Sequence, residues 1–570
     1  MFSEQNPWIP QREPIICCWE SDSVRGAYSN PFASLLPNVY EYSEKQMLQY
    51  ARMLRRFGFT GVQLLDTCYS WARSGSIDAF HDKLRRMMRA AREAGLDVTL
   101  WIWAANFEGF GWRDPDVVYR PAAGYTARSD PRVRACFEKY YNCYAELAPL
   151  CDRLICHYFD PGELDEFEDV FFYMKLIEAK FREKNPDIRM GVDNWGAPEG
   201  YPQALAASGM TGYLLLEQSN PADWPENSRA EYRREVEKNG FCSGVWSWYT
   251  AEYEADQRAG MYVNAHILKE RYLKVLEQTG DCLPTSYWAE IETTHLYDLF
   301  TVYCAAQLLI DPYRDADELL KEIAGLIWTG ENAKKVCEAL RLIEDVRSGY
   351  TWEEYWWTCD KFKSRRTGRA ELVRAEKSCA DIAALAADRS ISSAELSLPF
   401  EPWVIAGLML PHLEQIRLLC EFELGMERLE GLLAEGCSQH LLYHELKKLL
   451  RPIPDYNTWV GEFYQLERYR QYDMARDFCR RADIPMPKDP RRIYELRRVA
   501  VERLSTLQRG RSEPLLFNAC DALASPYSCS QYEAIELLQM MIDEGLIEYA
   551  GDGRYRLVHW DERRFDFCPA

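Results

Sequence analysis

The sequence is short of the residues that metal sites need. It has only eight histidines among 570 residues and contains no H-x-H or H-E-x-x-H pattern. This argues against a metal-dependent barrel enzyme, so no cofactor is expected, with an all-carboxylate Mg²⁺ or Mn²⁺ site as the alternative. A Gly-rich phosphate loop, a nucleophile elbow and a dinucleotide fingerprint are also lacking, which argues against the corresponding enzyme classes.

Disulfide frameworks and membrane segments are not indicated either. The 19 cysteines are scattered, odd in number and free of any C-x-x-C pair. They predict buried free thiols, among them Cys156 and Cys304, in a cytoplasmic protein, with an unrecognised export route as the alternative. No apolar run reaches the roughly 18 residues of a membrane span. The N-terminus shows no basic start followed by an apolar run, so a secretory signal is not predicted.

Positive charge is scarce, and aromatic side chains are abundant. The net charge of −21 argues against nucleic acid as the main partner, because phosphate binding needs a basic surface. The chain carries 18 tryptophans and 35 tyrosines, and many tryptophans lie at or near the ends of predicted strands. Aromatic rings in a cleft can stack on the apolar faces of sugars, while core packing is the alternative use of the same rings. The expected partner is therefore an oligosaccharide or glycoside.

The first 295 residues read as eight strand-then-helix units. The predicted strands are 15–21, 61–67, 97–103, 153–160, 188–195, 212–218, 241–249 and 285–292. The segments between them, such as 44–58 and 78–95, place apolar residues every three or four positions, as amphipathic helices do. Alternating strands and helices predict a parallel sheet, and eight units over this length predict an α/β fold with a (β/α)8 TIM barrel. Its active site is expected where the strands end at their carboxyl termini.

The remaining residues predict two further regions. Residues 296–510 contain successive amphipathic helices and predict an all-helical domain. Residues 511–570 predict a small region with a helix and a β-hairpin, whose turn is Gly551-Asp552-Gly553. A helix followed by a hairpin also occurs in winged-helix DNA readers. A solvated basic helix face is the preferred explanation of the charges at 488–511.

Acidic residues at the barrel rim are the candidate catalytic groups. Asp160 ends the fourth strand, and Pro161-Gly162 turns the chain before Glu163. Either carboxyl is placed to act as a general acid, while helix capping is the alternative role, favoured more for Glu163. Hydrolysis of a glycosidic bond needs a second carboxyl as base or nucleophile, and the candidates are Asp193, Glu217 and Glu252. The expected substrate-binding residues are Trp19, Glu20, Arg25, Asp66, Trp103, His157, Trp195, Trp246, Trp248 and Glu290.

Two segments near the N-terminus carry a resemblance to a known family: 19–32, WESDSVRGAYSNPF, and 50–64, YARMLRRFGFTGVQL. The first is similar to the first-strand loop of the family 67 α-glucuronidases, a group of glycoside hydrolases, and the second is similar to that family's first helix and second strand. The strand LICHYFD resembles the family strand that ends in the acid glutamate, so the resemblance implies that Asp160, with its shorter side chain, is the acid, or Glu163 through a shifted loop. A counterpart of the family's N-terminal β-domain is not expected within these 570 residues, because the barrel is predicted to start near residue 14.

The resemblance implies an exo-acting glycosidase with an inverting two-carboxylate mechanism, in which Asp193 and either Glu217 or Glu252 supply the base. It also suggests a homodimer formed through the helical domain. Three other functions remain open. One is a substrate-assisted hexosaminidase-like glycosidase, and another is a non-catalytic barrel that only binds carbohydrate. The third is a helical scaffold or regulator that binds DNA through the basic helix and the terminal hairpin.

Overall fold

The structure of the chain is a computed structural model. It describes residues 2–16, 39–66, 76–105, 120–159, 164, 166–194, 197, 200–210, 212–219, 228–247, 263–279, 287–292, 299–347, 368–450, 474–486, 496–497, 499–501, 503–504, 507–508, 513–518, 537–542, 544–551 and 553–558. These residues divide into two compact units, the first ending at Arg417 and the second beginning at Leu418. The predicted domain boundaries at 295/296 and 510/511 stay predictions.

Eight parallel strands form a closed barrel in the order of the sequence. They are β1 (Gln11–Ile16), β2 (Gly61–Asp66), β3 (Asp97–Trp103), β4 (Arg153–His157), β5 (Arg189–Asp193), β6 (Leu214–Ser219), β7 (Cys242–Ser247) and β8 (Tyr287–Glu292). Strands β1 and β8 close the ring, with Gln11 opposite Tyr287 and Ile15 opposite Ile291. The predicted (β/α)8 barrel is confirmed.

Helices follow the strands and cover the outside of the barrel. They are α1 (Glu44–Phe57), α2 (Ile77–Glu93), α3 (Pro131–Ala145), α4 (Phe167–Lys184), α5 (Tyr201–Ala207), α6 (Ser228–Lys238), α7 (Ala265–Thr279) and α8 (Leu299–Ile310). Local chemistry sets the ends of α1. Ser43 and Gln46 form a reciprocal capping box at its start, and Gly58 ends it with φ of 103°, a backbone conformation that favours glycine.

Helices continue beyond the barrel. The first unit contains α9 (Ala316–Ile327), α10 (Gly330–Arg347) and α11 (Arg369–Ala387), and the boundary between the units falls within the residues of α12 (Pro402–Ala434). The second unit adds α13 (Gln439–Leu449) and a helix over 474–482. Its core brings Phe422 and Met426 of α12 together with Leu446 of α13 and Phe478. The predicted change from barrel to helices is confirmed.

A small antiparallel sheet lies near the C-terminus. Its strands are β9 (Leu516–Asn518), β10 (Ile547–Gly551) and β11 (Arg554–Leu557), in the order β10-β11-β9. The predicted hairpin corresponds to β10 and β11, and Gly551 and Gly553 have φ of 92° and 71°. The third strand, β9, pairs with β11 and was not predicted. Its three residues are too few to give a recognisable pattern of alternation.

Thiols and helices in the described part of the chain bear on the predictions about compartment. Eleven described cysteines are free, and Cys156 and Cys304 are buried as predicted. Burial raises the pKa of both thiols, which keeps them protonated and unreactive. Within the same residues, no helix combines the length and the apolar character that crossing a bilayer requires. A cytoplasmic location stays a prediction.

The N-terminal ends of the strands hold a buried polar network inside the barrel. Glu13 of β1 accepts hydrogen bonds from Arg153 Nη1 of β4 at 3.1 Å and from the Tyr287 hydroxyl of β8 at 2.5 Å. Arg153 also donates to Thr99 at 3.1 Å and to Gln11 at 2.6 Å. Burial raises the pKa of Glu13, while Arg153 and the Tyr287 hydroxyl oppose this rise. Every partner here begins or nearly begins its strand, so the network lies opposite the end where barrel enzymes bind substrates.

Candidate active site

Two tryptophans stack across the interior of the barrel above this network. Trp101 of β3 and Trp246 of β7 have ring centroids 5.8 Å apart and planes inclined by 11°. Both residues are buried. Trp246 was predicted to contact substrate, and the structure places it in the barrel interior beside Trp101.

Asp193, a predicted catalytic carboxylate, lies at the end of β5 and is held from two sides. Its Oδ1 atom is 2.6 Å from Nδ1 of His157, the last residue of β4. Its Oδ2 atom accepts a hydrogen bond of 2.9 Å from the indole nitrogen of Trp101. All three side chains are buried. Because β4 and β5 are neighbouring parallel strands, their carboxyl ends bring the histidine and the aspartate together.

Aromatic rings enclose the His157 side chain. Its imidazole stacks on Trp101 with centroids 5.2 Å apart and planes 23° from parallel. Trp103, the last residue of β3, lies 6.4 Å away at 36°. One cluster on three adjacent strands therefore contains three predicted site residues, Trp103, His157 and Asp193, together with Trp101. It is here called the β3–β5 cluster. The cluster can orient a flat or ring-shaped ligand and move a proton at its rim.

Two other predicted carboxylates face the helix layer. Asp66 of β2 lies 3.0 Å from Nε2 of His81 on α2. Glu217 of β6 accepts hydrogen bonds from Arg233 of α6, at 3.1 Å from Nε and 2.5 Å from Nη2. All four side chains are almost completely buried. Each pair therefore joins a strand to the helix that follows it, and a catalytic or substrate-binding role for Asp66 and Glu217 stays a prediction.

No family model matches the chain. No curated protein matches it either. Among solved structures, the chain is similar to a GH138 enzyme targeting pectin rhamnogalacturonan II, with 10% identity, a TM-score of 0.44 and coverage of 90% of this chain and 70% of the other.

Two further solved structures show a similar degree of likeness. CpGH84D has 9% identity, a TM-score of 0.43 and coverage of 82% of this chain and 70% of the other. CpGH89 from Clostridium perfringens, solved with its substrate GlcNAc-α-1,4-galactose, has 11% identity, a TM-score of 0.39 and coverage of 88% and 64%. Likenesses with TM-scores of 0.44 or less do not identify an activity, and the resemblance to family 67 stays a prediction.

For the other predicted site residues, the structure describes either nothing or the backbone alone. Eight are not among the described residues: Trp19, Glu20, Arg25, Asp160, Glu163, Trp195, Trp248 and Glu252. Glu290 belongs to β8, opposite Pro14 of β1 and Ser247 of β7, and its side chain is not described. Within the described part of the chain, no group of three or more His, Cys, Asp or Glu residues is arranged to hold a metal ion.

Trp101 is the member of the cluster that sequence reasoning missed. It lies inside the apolar run DVTLWIW, two residues before the predicted Trp103. Alternate residues of a strand share a face, so choosing Trp103 as inward-facing implied Trp101 as well. The two-residue spacing was the signal in the sequence. A search confined to the last residues of the strands does not find Trp101.

Proposed function

We propose that the chain is a glycoside hydrolase that removes a terminal sugar from an oligosaccharide at the C-terminal rim of its barrel. The observation that carries this proposal is the buried Asp193, held by His157 and Trp101 inside an aromatic cluster. A carboxylate among tryptophans matches the two needs of sugar chemistry, which are an apolar platform for the ring and a group that handles a proton.

The reaction needs an acid as well as the carboxylate of Asp193. Asp160 and Glu163 follow His157, the last residue of β4, by three and six residues in the sequence. In the proposed mechanism one of them protonates the glycosidic oxygen as the bond to the anomeric carbon breaks. Water attacks from the opposite face and gives its proton to the carboxylate of Asp193. Exo action and inversion follow the family resemblance and are part of the proposal.

A panel assay tests the function. The protein is incubated with aryl glycosides and short oligosaccharides, including uronate-capped xylo-oligosaccharides, and products are followed by proton NMR. We expect turnover of one sugar, and a loss of about 10²–10⁴-fold in kcat for Asp193→Asn and for Asp160→Asn or Glu163→Gln. The first anomer that appears distinguishes inversion from retention.

The matched control is Glu344→Gln, which alters a second buried carboxylate that also has a histidine partner, His266. Glu344 lies on α10 and is not a predicted site residue, so we expect turnover close to that of the unchanged protein. Equal losses in Glu344→Gln and Asp193→Asn, with both proteins folded, would count against a special role for the cluster.

The second candidate function is a sugar-binding barrel without turnover. The observation that favours it is that Asp193 is only 3% exposed and both of its oxygens already have partners. Binding of an oligosaccharide with no product formation, unchanged in Asp193→Asn, would support this candidate. A homodimer through the helical region is a separate proposal, which light scattering during size-exclusion chromatography tests.

A further inference from the structure

A loop between β3 and α3 is held in place by buried carboxylates. It covers residues 120–130 and is here called the α3 loop. Asp130, which caps α3, accepts hydrogen bonds of 2.9 Å from the backbone nitrogens of Ala122 and Arg132. The Arg132 side chain also donates to Asp130, and this bond is the main cause that lowers the pKa of the carboxyl. Asp130 is buried and stays ionised, so it ties the loop to the start of the helix.

A second carboxylate ties the same loop to the neighbouring helix. Asp169 of α4 is buried and accepts hydrogen bonds from the backbone nitrogens of Ala127 at 3.0 Å and Arg128 at 3.3 Å. The hydroxyl of Tyr173, about one turn further along α4, donates to the backbone oxygen of Ala127 at 2.8 Å. Hydrogen bonds to an ionised carboxylate are stronger than neutral ones. The α3 loop is therefore fixed between the first turns of α3 and α4.

The α3 loop stands above the carboxyl end of β3. Helix α3 runs back toward the amino end of β4, so it begins on the side of the barrel where the strands end. Tyr141, ten positions after the first residue of α3, donates through its hydroxyl to the backbone oxygen of Ala104 at 2.7 Å. Ala104 directly follows β3. From the rise of a helix and the lean of its side chains toward its start, the loop lies roughly 10–15 Å beyond the end of β3.

Tyr125 is the exposed aromatic residue of this loop. It is 54% exposed, and its backbone nitrogen donates to Ala122 at 3.0 Å. Among the described residues, its hydroxyl has no hydrogen-bond partner and its ring contacts no other aromatic ring. Single exposed tyrosines are ordinary, but the two buried carboxylates keep the backbone of this one in a defined place. A ring that is already positioned loses little conformational freedom when a ligand packs against it.

We propose that Tyr125 is a stacking platform for a sugar unit at a distance from the cleaved bond. This deepens the proposed function and rests on it: the terminal sugar binds at the β3–β5 cluster, and the rest of the oligosaccharide leaves the barrel past the α3 loop. Aromatic rings pack against the apolar faces of sugars. At its height above β3, Tyr125 lies beyond the terminal sugar and beside units further along the chain. The ligand of this subsite is therefore an extended oligosaccharide.

Chain length is the variable that tests the subsite. The sugar that the panel identifies is offered as its aryl glycoside and as oligosaccharides of increasing length. We expect Tyr125→Ala to raise KM about 3–10-fold for the longest oligosaccharide with kcat unchanged, because the ring binds the ground state and the transition state equally. The aryl glycoside should show no change. Tyr125→Phe keeps the ring and should behave like the unchanged protein at every length.

Tyr313→Ala is the matched control. Tyr313 is 64% exposed and follows the last residue of α8, Ile310, so it lies at the opposite end of the barrel. We expect its KM to match that of the unchanged protein at every chain length. A loss in Tyr125→Ala that is equal for the aryl glycoside and the longest oligosaccharide overturns the proposal, since it then reflects a general disturbance of the rim. The absence of any loss overturns it as well.

A binding measurement separates this proposal from the proposed function. Tyrosines are replaced by 3-fluorotyrosine, the Tyr125 signal is assigned from its loss in Tyr125→Phe, and fluorine NMR spectra are recorded with the panel oligosaccharides. A Tyr125 signal that shifts with long oligosaccharides, but not with the monosaccharide, supports the subsite even without turnover, and the proposed hydrolysis then fails alone. An unchanged Tyr125 signal beside turnover of a long oligosaccharide overturns the subsite alone. An unchanged signal with no turnover overturns both.

Discussion

The two ends of the barrel interior hold a buried carboxylate in different ways. At the N-terminal end, Glu13 faces the permanent cation of Arg153. At the C-terminal end, Asp193 faces His157 and the neutral indole of Trp101. Arginine keeps its charge at any ordinary pH, whereas histidine can gain or lose a proton near neutrality. The first arrangement suits a fixed structural link, and the second suits a site whose charge changes during a reaction.

The largest loss of stability is expected from Arg153→Met. It leaves Glu13 buried without its cation, which costs about 3–5 kcal/mol in the free energy of unfolding. Denaturant titration measures this, and the double variant Glu13→Gln, Arg153→Met should recover part of the loss because no buried charge then remains.

Arg189→Met is the matched control for that prediction. Arg189 begins β5 as Arg153 begins β4, and it contacts Asp97 at 3.0 Å, but the two side chains are 48% and 45% exposed. We expect a change of roughly 0–1 kcal/mol, because exposed ion pairs contribute little. Equal losses in Arg153→Met and Arg189→Met would mean that burial does not determine the strength of the link at this end.

The next effect concerns the space around Glu13. A Cβ atom at Gly61 would lie 2.7 Å from Glu13 Oε1 and 2.8 Å from the backbone oxygen of Asp97. Gly61→Ala should therefore destabilise the protein by about 1–3 kcal/mol. Gly325→Ala is the control, since a Cβ there meets no described atom within 4 Å. It should stabilise α9 by roughly 0.5–1 kcal/mol, so a gain in both variants would contradict the crowding argument.

The sequence predicted most strands well and the first one poorly. The predicted segments starting at 61, 97 and 153 begin where β2, β3 and β4 begin. The first strand was predicted to start at residue 15, but β1 (Gln11–Ile16) starts four residues earlier, and the predicted residues 17–21 lie outside the described part of the chain. Its start carries polar residues and Pro14, because Gln11 and Glu13 belong to the internal network with Arg153. A search for apolar strands cannot find a strand whose inward face is polar.

The candidate site was predictable in position but not in detail. Strands of a parallel barrel are apolar on both faces, so their sequences do not alternate and do not show which face a residue occupies. Asp66 and Glu217 were chosen from such runs, and their partners His81 and Arg233 lie on helices. Only contacts from distant parts of the chain separate the inward Asp193 from these outward carboxylates.

Asp193→Asn tests the C-terminal end of the barrel. We expect a loss of about 1–3 kcal/mol in the free energy of unfolding, because an amide cannot replace both oxygens of the carboxylate that contacts His157 and accepts from Trp101. The loss should be smaller than that of Arg153→Met, because no buried carboxylate is left without a permanent cation. Denaturant unfolding measures it, and a loss as large as that of Arg153→Met would remove the contrast between the two ends.

The smallest effect is expected where a histidine pair is half-exposed. His266 of α7 donates through its backbone nitrogen and Nδ1 to Glu344 of α10, at 2.6 and 2.8 Å, and Asp317 lies 3.9 Å from Nε2. The hydrogen bond with Glu344 is the main cause that raises the pKa of His266. A raised pKa in the folded state means that this link stabilises fully below the unfolded pKa and is lost as pH rises through the folded value. His266→Gln should flatten that decline, by less than about 1 kcal/mol because the side chain is exposed. A decline that persists in His266→Gln would assign it to another group.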